Sequence, residues 1–303
     1  MSNFQQVLSQ ALMSGQILTN EPMSRHTTFR VGGPADYFAK VETEAELAGI
    51  LALCGQWEMP YYVVGNGSNL LVGDGGYRGV IITLGKNFSG VRKAGAEKLR
   101  AGAGALLSVV AKAALKGSLT GIEFASGIPG TVGGAVVMNA GAYGSELADI
   151  LGLVRLLDQK GDVQEVSAAQ LELGYRSSNI SARELVVLEA EFCLEAGSEA
   201  QIGGQMEKLA AQRRAKQPLE YPSAGSTFKR PSGYFAGKLI EEAGLRGFCV
   251  GDAQVSEKHC GFVVNRGLAT AADLRQLFYE VQRRVHEHSG VELELEVKLL
   301  GEF

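Results

Sequence analysis

Nearly half of the glycine in this chain is concentrated in about a quarter of its length: 19 of the 40 glycines fall between Gly65 and Gly144. A residue without Cβ is needed where the backbone turns left-handed or where another group must approach it closely. The excess has no Gly-X-Y period, and 46% of residues are hydrophobic, so collagen-like and disordered chains are excluded. A length of 303 residues suits about two domains with ample core.

Further classes fall away on charge and patterning. Twenty-nine Lys plus Arg against 33 Asp plus Glu give a net charge of −4, which argues against a general nucleic-acid binder. The first 22 residues have no basic n-region and no continuous apolar run, so they do not read as a signal peptide. The uncharged stretch 124–145 holds six glycines, Pro129 and Asn139, a poor composition for a lipid-exposed helix. Cys54, Cys193, Cys249 and Cys260 are scattered without a CxxC pair, which suits reduced thiols and a cytoplasmic protein.

Local signals place the elements. Thr43-Glu-Ala-Glu46 is a capping box opening a helix to about Trp57, stopped by Pro60. Residues 61–64 and 80–84 read as strands, 106–116 as a helix, and 117–144 as mostly irregular backbone around a short Ala-Val-Val-Met piece. Strands at 151–157 and 185–194 flank a short amphipathic turn, and a charged helix follows at 199–216. The remainder reads as a helix at 236–243, a strand at 261–265, a helix capped by Thr270 and Asp273 running to 289, and a last strand at 291–300. The organisation expected is an N-terminal segment 1–24, a glycine-rich domain 25–195 and a C-terminal domain 196–303.

Five constellations can carry chemistry. Gly65-Asn66-Gly67-Ser68-Asn69 after a strand presents backbone N–H groups, a hydroxyl and two amides as a nest for phosphate oxygens, though alone it also reads as an ordinary turn. No GK[ST] and no Gly-x-Gly-x-x-Gly accompanies it, so it is neither a P-loop nor a Rossmann turn. Ser126-Gly127-Ile-Pro-Gly130-Thr131-Val-Gly133-Gly134-Ala, followed by Asn139-Ala-Gly141-Ala-Tyr143-Gly144, lets the chain wrap a flat or phosphorylated ligand. Two such loops favour a dinucleotide held by backbone, which points toward a flavin. Tyr175-Arg176 suits a carboxylate clamp, though alone it reads more readily as a solvated loop arginine. Ser226 follows a glycine with Lys229 and Arg230 close by, an arrangement suited to giving a proton to a developing anion. Glu292, Glu294 and Glu296 alternate, so a strand would place all three on one face. His259, His286 and His288 have no spaced carboxylate partner, and no metal site is expected.

Seven segments, in order from about residue 25 to the C-terminus, together resemble one family, the UDP-N-acetylenolpyruvoylglucosamine reductases of bacterial peptidoglycan synthesis. They are His26-Thr-Thr-Phe-Arg-Val-Gly-Gly-Pro-Ala-Asp36, Gly65-Asn-Gly-Ser-Asn69, Gly127-Ile-Pro-Gly-Thr-Val-Gly-Gly134, Asn139-Ala-Gly-Ala-Tyr-Gly144, Gly174-Tyr-Arg-Ser-Ser178, Ala224-Gly-Ser-Thr-Phe-Lys229 and Glu294-Leu-Glu-Val-Lys298. Residues 225–247 look like the shorter subclass of that family, which lacks an inserted substrate-covering loop.

The resemblance implies an α+β fold: a two-lobed FAD-binding domain of the vanillyl-alcohol-oxidase type and a C-terminal α/β substrate domain. It implies reduction of an enolpyruvyl ether to a lactyl ether, with FAD bound and NADPH as hydride donor. It places the proton donor on Ser226 and the stabilisation of the enolic intermediate on Arg176 and Glu296. Under this reading Gly65, Asn66, Gly67, Ser68, Asn69, Gly127, Gly130, Thr131, Gly133, Gly134, Asn139, Gly141 and Tyr143 hold FAD, while Tyr175, Lys229, Arg230 and Lys238 meet the UDP-linked sugar. A monomer or weak dimer acting on small molecules, with no nucleic acid and no membrane, is expected. The rival within the fold is an oxidase of a small alcohol or aldehyde, which would not need the Arg176, Ser226 and Glu296 set; a silent nucleotide-binding module is the rival outside it. One departure is visible: Leu295 stands where the family usually has proline.

Overall fold

The computed structural model describes residues 3–303, which form two compact units. The first gathers residues 3–19, 37–65 and 79–211, and the second gathers 20–36, 66–78 and 212–303. The division therefore does not fall at a single point near 195. Two short stretches of the glycine-rich half group with the C-terminal residues, because partners lie there: the Phe29 carbonyl accepts from Asn265 Nδ2 (3.1 Å), and Gly73 donates to the Leu300 carbonyl (2.9 Å).

The first unit is built around two sheets. One has its strands in the order Gln16–Pro22, Pro34–Val41, Tyr77–Leu84, Tyr61–Val64, the last pair parallel with Tyr61 opposite Val80. Helix α1, Asn3–Gln10, and helix α2, Glu44–Gln56, pack into the same core through Phe4, Leu8, Leu47, Ile50 and Leu51. The capping box of α2 is complete, since Thr43 Oγ1 accepts the Glu46 N–H (3.1 Å) and Glu46 Oε2 accepts that of Thr43 (3.3 Å). Glu46 also accepts the N–H groups of Met13, Ser14 and Gly15, tying the chain before the first strand to the helix start. Burial would raise its pKa, but the bonds from Ser14, Glu42 and Gly15 outweigh this and hold it at about 2.

The other sheet is antiparallel, in the order Val163–Ser167, Leu151–Leu157, Val186–Cys193, Lys98–Gly102, Val91–Lys93. The hairpin strand Val163–Ser167 replaces the amphipathic turn expected there; its polar edge sequence carries little strand signal, and only the 3-10 turn Ala168–Leu171 remains of the turn. Glu189 and Glu191 are buried on this sheet and paired with Arg92, Arg100 and Lys98. Helix α3, Leu107–Lys116, and the six-residue helix α4, Val132–Val137, cover its apolar side. Helix α5, Glu199–Lys216, buries little beyond Ile202 and Leu209, as its charged sequence anticipates.

The second unit centres on helix α7, Ala271–Ser289, whose Leu274, Leu277, Phe278, Val281 and Val285 recur at helical spacing along one buried stripe. Thr270 and Asp273 cap it reciprocally, and Asp74 adds a carboxylate that accepts the N–H groups of Ala271 and Ala272, each at 2.8 Å. Helix α6, Ala236–Glu242, and a three-stranded sheet of Cys249–Val250, Ala253–Val255 and Val263–Asn265 pack with it. The last strand is shorter than expected: only Lys298–Leu300 forms a ladder, parallel to Leu70–Val72. Residues 291–297 are not in a ladder, apart from a single bridge between Leu295 and Phe228. Among the described residues no helix is long and apolar enough to cross a membrane, and no cluster of three metal-ligating side chains occurs.

Candidate active site

In the first unit, Gly65 follows the buried Val64 at the end of its strand. A Cβ there would lie 2.2 Å from Thr131 Oγ1, so the start of one glycine loop rests against the middle of the other. Thr131 is the N-cap of α4 and accepts the Gly134 N–H (3.5 Å). The second loop is pinned to 103–107: Leu107 donates to the Gly130 carbonyl (3.1 Å), Val132 to that of Ala105 (2.8 Å) and Gly133 to that of Ala103 (2.8 Å). Among the described residues no protein acceptor meets the N–H groups of Gly130 and Thr131. Gly127 and Gly134 are exposed beside them.

Residues 66–69 belong to the second unit. Gly67 is buried at φ +59°, and a Cβ would meet the His26 carbonyl oxygen at 2.0 Å. Its own carbonyl accepts the Thr28 N–H (3.2 Å), which explains why the His26-Thr-Thr segment accompanies this loop. No protein acceptor among the described residues meets the N–H groups of Gly67 and Ser68. Asn66 is exposed and Ser68 half-buried. Unmet backbone donors in each loop, with no cationic side chain in either, fit a pyrophosphate, and FAD is a group of that chemistry. Asn69 also ties this loop to the C-terminal residues, since its Nδ2 donates to the Glu296 carbonyl (3.0 Å) and its carbonyl accepts the Lys298 N–H (3.0 Å).

Arg176 sits in the first unit, at the corner of a tight turn closed by two bonds between Gly174 and Ser177 (3.1 and 3.2 Å). Its φ is +53°, a strained value for a side-chain-bearing residue. The guanidinium donates to the carbonyls of Gly141 (Nη2, 2.9 Å) and Asn139 (Nη1, 3.4 Å), and its Cζ lies 5.0 Å from the Tyr175 ring centre. Tyr175 is half-exposed at the turn's tip. Gly141 belongs to a two-residue hairpin with 145–146, and Tyr143 at its tip donates its hydroxyl to the Leu209 carbonyl (3.2 Å).

Ser226 and Glu296 are brought together in the second unit by backbone. Thr227 donates to the Gly261 carbonyl (2.9 Å), and its own carbonyl accepts the N–H groups of Glu296 (2.9 Å) and Val297 (3.4 Å). Lys229 donates to the Glu294 carbonyl (2.8 Å), so 226–229 lies as a strip between 261–263 and 294–297. Thr227 is fully buried, and its Oγ1 accepts the Val263 N–H (3.0 Å). The neighbouring Ser226 is exposed. Gly225 precedes it at φ +75° with open space where a Cβ would sit, so conformation and not crowding requires glycine there. Beyond the strip's other neighbour, His259 accepts the Gly261 N–H at Nδ1 (3.1 Å); burial, with Arg246 and Lys216 nearby, lowers its pKa. It is a structural histidine.

The alternation of the three glutamates survives without a ladder: Glu292 and Glu294 are exposed, Leu293 and Val297 are buried, and Glu296 is half-buried. The bridge at Leu295 is made by its neighbours, Glu294 accepting and Glu296 donating. Leu295 therefore contributes no N–H to it, and proline at this position would remove no bond of the strip.

The cations proposed for substrate differ in placement. Lys229 Nζ is paired with the Glu294 carboxylate. Arg230 lies over the Phe235 ring (3.9 Å) and donates to the Tyr234 carbonyl (3.2 Å). Lys238 stands on the solvent side of α6, 72% exposed, 3.5 Å from Glu242 one turn on. Sequence reasoning missed Thr227 and Asp74 as struts. A threonine beside the candidate serine, and an aspartate 197 residues before the helix it caps, carry no local signal of those roles.

Residues 35–167 match the family described as FAD binding domain, and residues 217–300 match the C-terminal domain of UDP-N-acetylenolpyruvoylglucosamine reductase. The enzyme of that name from Clostridioides difficile (strain 630) is 53% identical over 291 residues, covering 96% of this chain and 95% of the relative. That from Agathobacter rectalis is 52% identical over 298 residues, covering 95% of each. Among solved structures, the UDP-N-acetylenolpyruvylglucosamine reductase from Thermus caldophilus superposes with a TM-score of 0.81 at 37% identity, over 95% of this chain and 100% of that one. The chain belongs to the UDP-N-acetylenolpyruvoylglucosamine reductase family.

Proposed function

We propose that this protein reduces the enolpyruvyl ether of UDP-N-acetylglucosamine enolpyruvate to the lactyl ether of UDP-N-acetylmuramate, for peptidoglycan synthesis, with Ser226, Arg176 and Glu296 as catalytic residues. FAD, when bound, would supply the hydride, with NADPH as its reductant. The unmet backbone N–H groups of Gly67 and Ser68 in one loop, and of Gly130 and Thr131 in the other, would each suit the FAD pyrophosphate oxygens. When the β-carbon of the enolpyruvyl group gains hydride, the electron pair of the double bond moves to the α-carbon and into the carboxylate. Arg176 meets that negative charge, its guanidinium held in direction by the carbonyls of Asn139 and Gly141. Ser226 gives its hydroxyl proton to the α-carbon and recovers one from solvent. Glu296, whose N–H donates to the Thr227 carbonyl, stabilises the enolic intermediate.

The observation that carries this reading is the strip itself: Thr227 fixes Ser226 and Glu296 to one another through backbone bonds that do not depend on either side chain. Tyr175, Lys229 and Arg230 are offered to the substrate; Lys238, on the outer side of α6, would reach only its diphosphate end. The domain reading is one of function along the chain, an FAD-binding part over 25–195 and a substrate part over 196–303, and does not coincide with the two compact units. We place the enzyme in the cytoplasm as a monomer or weak dimer, a location supported by four cysteines outside any disulfide.

Ser226→Ala tests the proton-donor role by stopped-flow. Flavin reduction by NADPH should stay within about twofold of wild type, while flavin reoxidation by the UDP-linked enolpyruvyl sugar slows by about 100- to 10,000-fold. Equal slowing of both half-reactions rejects the role.

A further inference from the structure

Asn139 is a polar side chain with no exposed surface, at the end of the glycine-rich run. Both halves of its amide are engaged inside the protein: Nδ2 donates to the Gly174 carbonyl (3.0 Å), and Oδ1 accepts the Ala148 N–H (2.9 Å). Its main-chain carbonyl is one of the two that receive the Arg176 guanidinium. Gly174 opens the turn that bears Arg176, and Ser178 just beyond it donates its hydroxyl to the Val137 carbonyl (2.8 Å). The turn is thus bonded at both ends to the segment 137–141, which also holds the arginine head.

Three residues here with side chains adopt positive φ: Asn139 at +40°, Tyr143 at +58° and Arg176 at +53°. Such backbone persists only where the surroundings over-determine it. Carbonyl acceptors fix the direction of a guanidinium, as is wanted for meeting an anion that exists only in the transition state.

We propose that Asn139 is a positioning residue for Arg176, acting on stabilisation of the enolic anion and not as a ligand of the flavin. This rests on the catalytic role given above to Arg176. The amide sets the turn, the turn sets the arginine backbone, and the Asn139 and Gly141 carbonyls set the guanidinium.

The test uses the FAD-loaded enzyme. Asn139→Gly keeps the left-handed backbone and the carbonyl while deleting the amide. Asn139→Asp keeps the shape, replacing the donor by an acceptor facing the Gly174 carbonyl, and decides if Asn139→Gly does not fold. Expected for either are wild-type flavin content, flavin reduction by NADPH within about twofold, and reoxidation by the UDP-linked enolpyruvyl sugar slowed by about 100-fold. In an Arg176→Lys background the same change should cost less than about threefold more, since both act through one group. Loss of flavin, equal slowing of both half-reactions, or a full multiplicative penalty in the Arg176→Lys background overturns the positioning role. If Arg176→Lys alone leaves reoxidation at the wild-type rate, the failure lies in the role of Arg176 itself, and the two are told apart.

Discussion

The two charged groups proposed for catalysis are held in different ways, each within its own unit. Arg176 sits on a strained turn whose ends and guanidinium are bonded to 137–141, with one buried asparagine joining them. Glu296 lies on a strip where its N–H meets the Thr227 carbonyl, backbone to backbone, while its carbonyl accepts the Asn69 side-chain amide from a neighbouring loop. A position held by a side-chain amide is vulnerable to one substitution far from substrate. The bond from Glu296 to Thr227 and the bridge at 295 use neither the side chain nor the N–H of residue 295, so leucine or proline suits the strip there.

The largest contrast should come from Arg176→Ala, which removes the guanidinium outright. Flavin reoxidation by the enolpyruvyl sugar is expected to fall by about 100- to 1000-fold with flavin reduction nearly unchanged, measured by stopped-flow absorbance. On the strip, Thr227→Val leaves the buried Val263 N–H without its acceptor. Denaturant unfolding should show a loss of about 1–3 kcal/mol, with both half-reactions kept in the folded enzyme. A selective loss of reoxidation without loss of stability would mean that side chains hold the strip as they hold the turn.

Glu46 marks a third kind of position, a cap whose carboxylate holds two segments and touches neither catalytic group. Glu46→Gln should lower stability at neutral pH by about 1.5–3 kcal/mol through weaker bonds to the N–H groups it accepts. Its folded pKa of about 2 lies below the ordinary 4.5, so its contribution is full above pH 4.5 and fades as pH falls toward 2. Thermal midpoints of wild type and variant should therefore converge on acidification, and a constant gap would reject the charge as the cause. The smallest effect is expected for Leu295→Pro: a change in thermal stability within about 0.5 kcal/mol and unchanged reoxidation, because no strip bond uses that N–H.

What could be read from the sequence followed the range of the forces involved. The capping boxes at Thr43 and Thr270 are local and stand as expected, as do α3 and α5 to within a residue. The strand Val163–Ser167 was hidden by its polar edge sequence, and the ladder 298–300 looked longer because alternation continues through residues that form only a single bridge, at Leu295. Grouping 20–36 and 66–78 with the C-terminal residues depends on bonds such as Asn69 to Glu296, 227 residues apart, which no window can register. At the site the motifs supplied residue identities. Asn139 and Asn69 read equally as ligand contacts or struts until their partners are seen, since an amide offers the same donors to a phosphate or to a carbonyl.

The central claim is that flavin in this protein passes hydride to an enolpyruvyl sugar and not to oxygen. Mixing the purified yellow protein with NADPH under anaerobic conditions, then with the UDP-linked enolpyruvyl sugar, tests it directly. NADPH should bleach the flavin band and the sugar alone should restore it within a catalytic turnover. A protein without flavin, or one whose band returns only on admitting air, would contradict the account.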